Sequence, residues 1–307
     1  MSAQTSLEGR FGSPILVTGA SGFLGRELAA ELHRSGAKVV ATTRAKRGAC
    51  SSRLTGHTFP LHHVDPLSGP AVRSVIDDVR PALVYHLSGQ ARPRLALADP
   101  AATFEANVES VWVLLDAIRA RSPQTRFIVA GTLEDAGPRD ALDHPYFVSK
   151  RCAAAICSAY ARTFGLSIGL VRCGHVYGPD TDTGRLLTSL ITARLAGRSC
   201  VVRDPDRMFD LLFLSDAVAG FLAAAKALTG PGLREFELSS GGALAGSVVG
   251  ELVDRLVTGQ NGRLELPASR TASSGPPGWR ARVGLEQGVR LTIEWHRAQA
   301  PAEHAGV

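Results

Sequence analysis

The five cysteines of this chain (Cys50, Cys152, Cys157, Cys173 and Cys200) include no C-x-x-C pair. Their odd number and scattered spacing argue against a disulfide framework or a zinc site. No metal is expected, and the cysteines read as small buried residues or incidental thiols. Long apolar runs are missing as well, none nearing the ~18 residues of a membrane span. The stretch from Met1 to Gly12 lacks the apolar core of a signal peptide, so the expected setting is cytoplasmic with no membrane partner. Aromatic residues amount to only 6%, and there is no dense Lys/Arg run, although 34 basic side chains against 28 acidic ones give a formal charge of +6. Without stacking aromatics or a basic stripe, no nucleic-acid partner is expected; a smaller anion such as a diphosphate fits the charge as well. Only four of the basic residues are lysines, and nothing functional is read from that.

What is present is ordinary for a soluble globular protein: 307 residues, 45% hydrophobic and 20% charged, enough for one large unit or two smaller ones. Pro14 to Thr18 reads as a short apolar strand. A glycine turn follows at once, then helical spacing from Arg26 to Ser35 through Leu28, Ala29 and Leu32, then a second strand from Lys38 to Thr43. Strand and helix keep alternating: Ala82 to Leu87 as a buried strand, Phe104, Val108, Val111, Leu115 and Ile118 on one helical face, Arg126 to Ala130 as a strand. Tyr146 to Phe164 reads as a helix and Ser167 to Arg172 as the next strand. The alternation predicts an α/β fold, a Rossmann-like doubly wound parallel sheet. Beyond Arg172 the pattern loosens into a helix from about Arg185 to Leu195, a strand-like Cys200 to Val202 and an apolar Leu211 to Leu214. Ser215 and Asp216 are then placed to cap a helix running to about Leu228. Phe236 to Leu238 reads as a short strand, Gly259 to Gly278 as loop and Leu285 to Trp295 as a last helix. Residues 1–172, with 205–228 returning, are assigned to the dinucleotide-binding core; 173–204 and 229–300 form a smaller, discontinuous C-terminal substrate-binding domain.

Two motifs carry chemistry. Gly19, Gly22 and Gly25, spaced G-x-x-G-x-x-G between a strand and a helix, would let a pyrophosphate approach the backbone at a helix N-terminus. An ordinary tight turn is the duller alternative. Where the second strand ends, an NAD site would place an acidic residue on the ribose hydroxyl. Here the strand ends in Thr42, Thr43 and Arg44, followed by Lys46 and Arg47. Arginine can pair a 2′-phosphate, so NADP(H) is expected, with NAD(H) the alternative. Downstream, Tyr146 and Lys150 lie one helical turn apart on one face, and a cation there favours the tyrosinate over the phenol.

Taken together the chain resembles the extended short-chain dehydrogenase/reductases, the NAD-dependent epimerases and dehydratases of nucleotide sugars. The likeness runs nearly end to end: Thr18 to Gly25, Asp65, His86 to Gln90, Asp99-Pro100, Asn107-Val108, Tyr146 to Lys150, Arg172 to Pro179, and a tail from Gly278 to Trp295. It implies that Ser21, Phe23 and Leu24 of the glycine turn meet the cofactor, that Asp65 meets the adenine, and that Leu87, Ser88 and Gly89 line the cofactor site. Asn107 would support the catalytic helix. Thr132 would hydrogen-bond the reacting oxygen, Tyr146 would be the acid/base, and Lys150 would bind the nicotinamide ribose and tune the tyrosine. A homodimer through the helices beginning near Phe104 and Tyr146 is implied by the same resemblance.

The departures bear on the reaction. The acidic pair that glucose-type 4,6-dehydratases carry after the threonine is Leu133-Glu134 here, so one acid is lost, while Glu134 stays as a candidate base. Thr132 and Tyr146 are only fourteen positions apart, which shortens the loop between them. The clamp arginine of the family is absent at Phe209, and Arg207, two residues earlier on the same face of a strand, is its candidate substitute. His175 stands where the family has asparagine. Gln90, Arg92, Arg94, His175, Arg185 and Arg207 are the candidate substrate-binding residues. The expected activity is an NADP(H)-dependent 4-ketoreductase of a nucleotide-activated 4-keto-6-deoxyhexose. The alternatives are a 4-epimerase or 4,6-dehydratase with retained cofactor, or a dinucleotide-binding sensor or scaffold without turnover.

Overall fold

The computed structural model describes residues 13–44, 59–136, 144–182, 184–260 and 275–299. Lys46, Arg47, Cys50 and most of the loop expected between Gly259 and Gly278 lie outside them. Seven strands form the main sheet: β1 (Ile15–Thr18), β2 (Val39–Thr43), β3 (Leu61–His63), β4 (Leu83–His86), β5 (Arg126–Thr132), β6 (Ser167–Cys173) and β9 (Gly232–Leu238). Their spatial order is β3-β2-β1-β4-β5-β6-β9 and every neighbouring pair is parallel. The order reverses between β1 and β4, and at such a switch point a crevice opens beyond the strand C-termini. This is the doubly wound parallel sheet read from the sequence. The strand β3 was not foreseen, because Leu61-His-His63 carries too little apolar character to register.

Helices cover both faces. On one lie α1 (Phe23–Arg34) and α8 (Leu214–Ala227), packed on Ile15, Val17, Tyr85 and Ile128. On the other lie α2 (Gly69–Val79), α5 (Ser110–Arg121) and α6 (Pro145–Phe164), packed on Leu16, Val84, Phe127 and Ile168. Alternate residues of a strand thus reach opposite cores, as the two-residue period requires. Two short helices, α3 (Pro93–Ala98) and α4 (Pro100–Phe104), precede α5, and a π-turn at Glu105–Glu109 joins α4 to α5. That extra residue per turn shifts the phase of the helix. Val111, Leu115 and Ile118 are buried as expected, but Phe104 and Val108 are only partly so, and Thr103, Ala106 and Asn107 turn inward instead.

A second core sits at one end. A three-stranded sheet, ordered β10 (Ala243–Ala245), β8 (Met208–Phe213), β7 (His175–Tyr177), packs with α7 (Leu186–Leu195), α9 (Gly246–Thr258) and α10 (Leu285–Gln299). The partition read from sequence needs two corrections. Within 205–228 only α8 returns to the main sheet, whereas β8 pairs with β7 and β10; and from 229–300 the strand β9 joins the main sheet beside β6. Phe236 to Leu238 looked like an isolated short strand because the preceding Arg234 and Glu235 are exposed edge residues. Cys200 to Val202 forms no strand; Val201 is 81% exposed and has no sheet edge to join.

Asp216 does not cap α8, which begins at Leu214. Instead its carboxylate, 5% exposed, accepts the amides of Arg282 and Val283 at 3.0 and 2.9 Å, while its carbonyl accepts the Trp279 indole N–H at 3.0 Å. This ties the segment ahead of α10 to the main sheet's helix layer. The helix α10 then lies on Tyr177, where a Cβ on Gly288 would come within 2.2 Å of the tyrosine oxygen. Gly288→Ala should therefore cost about 1–3 kcal/mol through overpacking; an unchanged Tm in a thermal melt would refute this.

Candidate active site

At the cofactor end the glycine turn is shaped by close backbone approach. Gly19 has φ +69°, and a Cβ there would sit 2.6 Å from the Ser88 amide; a Cβ on Gly25 would sit 2.2 Å from the Gly19 carbonyl oxygen. Only glycine fits both places. The N-terminus of α1 has no side-chain cap and no acid in its first turn, so its amides and the positive end of its dipole are open to an anion. A cleft beside it is lined by Thr18, Thr42, Thr43, Arg44, Val64, Pro66, His86 and Ser88 among others. Ser21 Oγ bonds Thr43 Oγ1 at 2.8 Å, joining the turn to the end of β2. Arg44 is exposed at the rim, with no carboxylate in that position of the strand. These features fit a dinucleotide: Gly19 and Gly25 leave no room for a Cβ, and no side chain caps the first turn of α1. Asp65 is exposed one residue from the cleft wall, and its carboxylate accepts the Leu67 amide at 3.0 Å.

The centre of the site is fixed by β5 and α6. Thr132, the last residue of β5, is 8% exposed and accepts the Glu134 amide at 3.3 Å. Tyr146, also 8% exposed, opens α6. His144 Nδ1 accepts the Tyr146 amide at 3.1 Å and so caps that helix. The sequence hints at this cap through Pro145, which sits comfortably at a first helical position. Lys150 Nζ lies 5.9 Å from the Tyr146 ring centroid and 3.4 Å from the Ala130 carbonyl, one turn along as the spacing predicts. Asn107, placed inward by the π-turn, donates to the Gln90 carbonyl at 3.0 Å and to Ser149 Oγ at 2.9 Å, and accepts the Gln90 amide at 2.8 Å. Ser149 in turn donates to the Tyr146 carbonyl at 2.7 Å. Gln90 directs its own amide to Thr103 Oγ1 at 3.1 Å and accepts the Arg92 N–H. Its side chain is a brace for the loop.

On the substrate side the candidates divide. Arg207 donates to Glu134 at 2.7 Å and stacks 5.2 Å over Phe209, so the two do share a face. His175 Nε2 lies 3.5 Å from the other Glu134 oxygen. Arg92 pairs with Asp182 at 2.7 Å, and Arg94 is exposed. Arg185 is partly buried and its Nε has no hydrogen-bond partner among the described residues. Burial pulls its pKa down, against the opposing influence of Tyr146 and Asp182. Such a guanidinium is poised for an incoming anion. Residues 137–143 of the shortened loop lie outside the described residues. One tie was not foreseen: Arg26, in α1, pairs at 2.6 Å with Asp180 beyond β7, linking the helix after the glycine turn to the segment that follows β7.

The sequence model of the NAD dependent epimerase/dehydratase family matches residues 15–236. The chain belongs to this family. Family members with known activities align along nearly the whole chain. A dTDP-glucose 4,6-dehydratase of Xanthomonas campestris pv. campestris is 26% identical, with 92% of each chain covered. The UDP-glucuronate 4-epimerase 5 of Arabidopsis thaliana is 24% identical, covering 93% of this chain and 76% of its own length. The crystal structure of a UDP-glucose 4-epimerase of Thermus thermophilus in complex with NAD superposes with a TM-score of 0.75 at 23% identity, over 93% of this chain and 99% of that one. The protein is thus an enzyme of this family with a Rossmann-like fold, and the aligned relatives are named for epimerisation or dehydration of nucleotide sugars. Among its described helices none is long and apolar enough to cross a membrane, and its described residues hold no cluster suited to a metal.

Within this family member, the buried histidine beside the glycine turn is the clearest titrating group. His86 is 2% exposed and bonds Thr18 Oγ1 at 2.9 Å and Ser110 Oγ at 3.3 Å. Burial first, and the Lys150 charge second, push its pKa down to about 3 from 6.5. The unfolded chain therefore takes up a proton that the folded one refuses. The stability this group contributes is complete above about pH 6.5 and drains away as pH falls toward 3, at about 1.4 kcal/mol per unit. In His86→Gln the decline of Tm with acid should be shallower across that window; parallel curves for the two proteins would refute the assignment.

Proposed function

We propose that the protein is an NADP(H)-dependent reductase of a nucleotide-activated keto-sugar, acting at C4 of a 4-keto-6-deoxyhexose. The observation that carries this is the state of Glu134. Eliminating water from a hexose needs a base for the carbon-bound proton and an acid for the departing hydroxyl. Here Leu133 is apolar and Glu134 is held by Arg207 at 2.7 Å, so that pair is not offered. Hydride transfer at a carbonyl carbon needs only the three groups gathered at Thr132, Tyr146 and Lys150.

The cofactor, when bound, supplies the hydride. Tyr146 gives its phenolic proton to the nascent alkoxide, and Thr132 Oγ1 donates a hydrogen bond to the same oxygen. Lys150, one turn along α6, places its charge where the tyrosinate forms. Asn107 and Ser149 hold the first turn of α6 in register with the Ser88–Gln90 loop. Arg185, with its uncommitted Nε, and Arg92 behind it would receive the diphosphate. The 2′-phosphate of NADP(H) would meet Arg44 at the end of β2. A net reductase must release its spent cofactor each cycle, and this is why the cofactor edge bears on the reaction. Two copies would pair through α5 and α6, whose outer faces carry Trp112 and Phe164, 52% and 46% exposed.

The competing reading, a 4-epimerase that retains its NAD(P), is favoured by the likeness to a 4-epimerase over 93% of this chain. NADPH oxidation followed against a panel of nucleotide 4-keto sugars separates the two. Turnover dependent on added NADPH is expected; a protein that purifies with dinucleotide bound and interconverts sugars without added NADPH would overturn the reductase. Tyr146→Phe should lower turnover by roughly 10²–10⁴-fold while dinucleotide still binds; undiminished function would point to a sensor or scaffold. Binding titrations should favour NADP(H) over NAD(H), and Arg44→Ala should weaken NADP(H) alone by roughly ten- to a hundredfold. Equal affinity of the unaltered protein for both would sink the cofactor assignment.

A further inference from the structure

A carboxylate and an imidazole, Glu134 and His175, meet close to Thr132. In the parallel pairing of β5 with β6, Thr132 stands opposite Cys173. Glu134 follows two residues past Thr132 in a short 3-10 turn, Leu133–Ala136, and His175 two residues past Cys173, where it opens β7. There the imidazole Nε2 faces Glu134 Oε2 at 3.5 Å, while Arg207 holds Oε1 at 2.7 Å. The ring is fixed edge-on against Phe209, with centroids 4.9 Å apart. Its Nδ1 has no hydrogen-bond partner among the described residues, and the side chain keeps 28% of its surface. An imidazole with one nitrogen held toward a carboxylate and the other left open is built as a proton carrier.

We propose that His175, oriented by Glu134, is a second acid/base of this site, and that the protein exchanges a proton on the carbon next to the carbonyl of its keto-sugar nucleotide. This rests on the keto-sugar reading above. The Nδ1 lone pair takes the α-proton; the C–H electrons form a C=C bond as the carbonyl pair moves onto oxygen. That enolate oxygen lies where Thr132 and Tyr146 serve the alkoxide in reduction, so the same donors stabilise it. The proton then returns to carbon from the imidazolium, with no net oxidation or reduction. Return to the same face gives isotope exchange alone, and return from solvent to the opposite face gives the epimer. The sugar is already deoxygenated at C6, so an enolate toward C5 has no hydroxyl to expel there and goes back to the ketone.

The charges around His175 suit the neutral, basic form. Burial lowers its pKa first; Glu134 and Asp210 oppose this, while Arg207 and Arg185 add to it. Glu134 is the orienting partner and not the base, because Arg207 already engages one of its oxygens.

The test uses the full-length protein in D₂O with NADP⁺, no reductant, and dTDP- and UDP-4-keto-6-deoxyglucose as probes, followed by proton NMR at the carbons flanking the ketone. NADPH oxidation with the same probes is measured in parallel. Loss of one ring-proton signal well above the uncatalysed rate is expected. In His175→Asn the ratio of exchange to reduction should fall roughly a hundredfold, and Glu134→Gln should lower it less. Retained NADP⁺ binding shows that each variant is folded. Tyr146→Phe should lose reduction yet keep measurable exchange. Exchange at background in the unaltered protein, or undiminished in His175→Asn, overturns the proposal, as does loss in Glu134→Gln alone. NADPH oxidation without exchange leaves the reductase standing, and exchange without NADPH oxidation removes the reductase while supporting the dyad.

Discussion

One buried side-chain amide holds the two halves of the candidate site together. Asn107 satisfies both backbone groups of Gln90, at 2.8 and 3.0 Å, and reaches Ser149 at 2.9 Å. The first contacts fix the loop after β4 that walls the cofactor cleft, and the last fixes the helix that carries Tyr146 and Lys150. Removing either partner would leave buried polar groups unsatisfied, which costs about 1–3 kcal/mol each. The π-turn at Glu105–Glu109 exists in the same terms. Without its extra residue Asn107 would rotate away from both partners, and neither the Gln90 backbone nor Ser149 could be held. Local irregularity in a helix here serves the geometry of the site.

Much of the architecture was legible because its signals were local. Strand, glycine turn and helix follow one another within Ile15 to Arg34, and each reports on its own neighbourhood. The pairing of Tyr146 with Lys150 needs only the helical period. What escaped were features that depend on partners distant in sequence. Leu61-His-His63 becomes a strand only because Ala41 to Thr43 offers an edge, and Gly232 to Leu238 only because β6 does. Asp216 looked like a cap because its position before a helix is the usual one; its actual partners are some sixty-six residues away. The ion pairs of Glu134 with Arg207, and of Arg26 with Asp180, belong to the same class.

The arginines show how one residue type is put to different uses by its surroundings. Arg26 is buried and paired within the fold, Arg207 is committed to a carboxylate in the candidate site, and the Arg185 Nε has no hydrogen-bond partner among the described residues. Arg44 stands exposed at the cofactor rim. Charge counting on the sequence treats these four alike. Only the last two are available to a ligand's phosphate groups, so the effective positive field at the site is smaller and more localised than the net charge of the chain suggests.

The position of β9 has a consequence for how the molecule comes to be folded. The main sheet is closed at one side by a strand that follows β7, α7, β8 and α8 in the chain. Its partner β6, which ends at Cys173, therefore presents an open edge until the intervening residues 174–231 have found their places. Non-local pairing of this kind is slow, and an unpaired apolar strand is the natural point of misassembly while it waits. Tethering of residues 279–283 by Asp216 comes later still in the chain. Closure of the main sheet and docking of the second core thus both depend on contacts made late in the chain, by β9 and by residues 279–283.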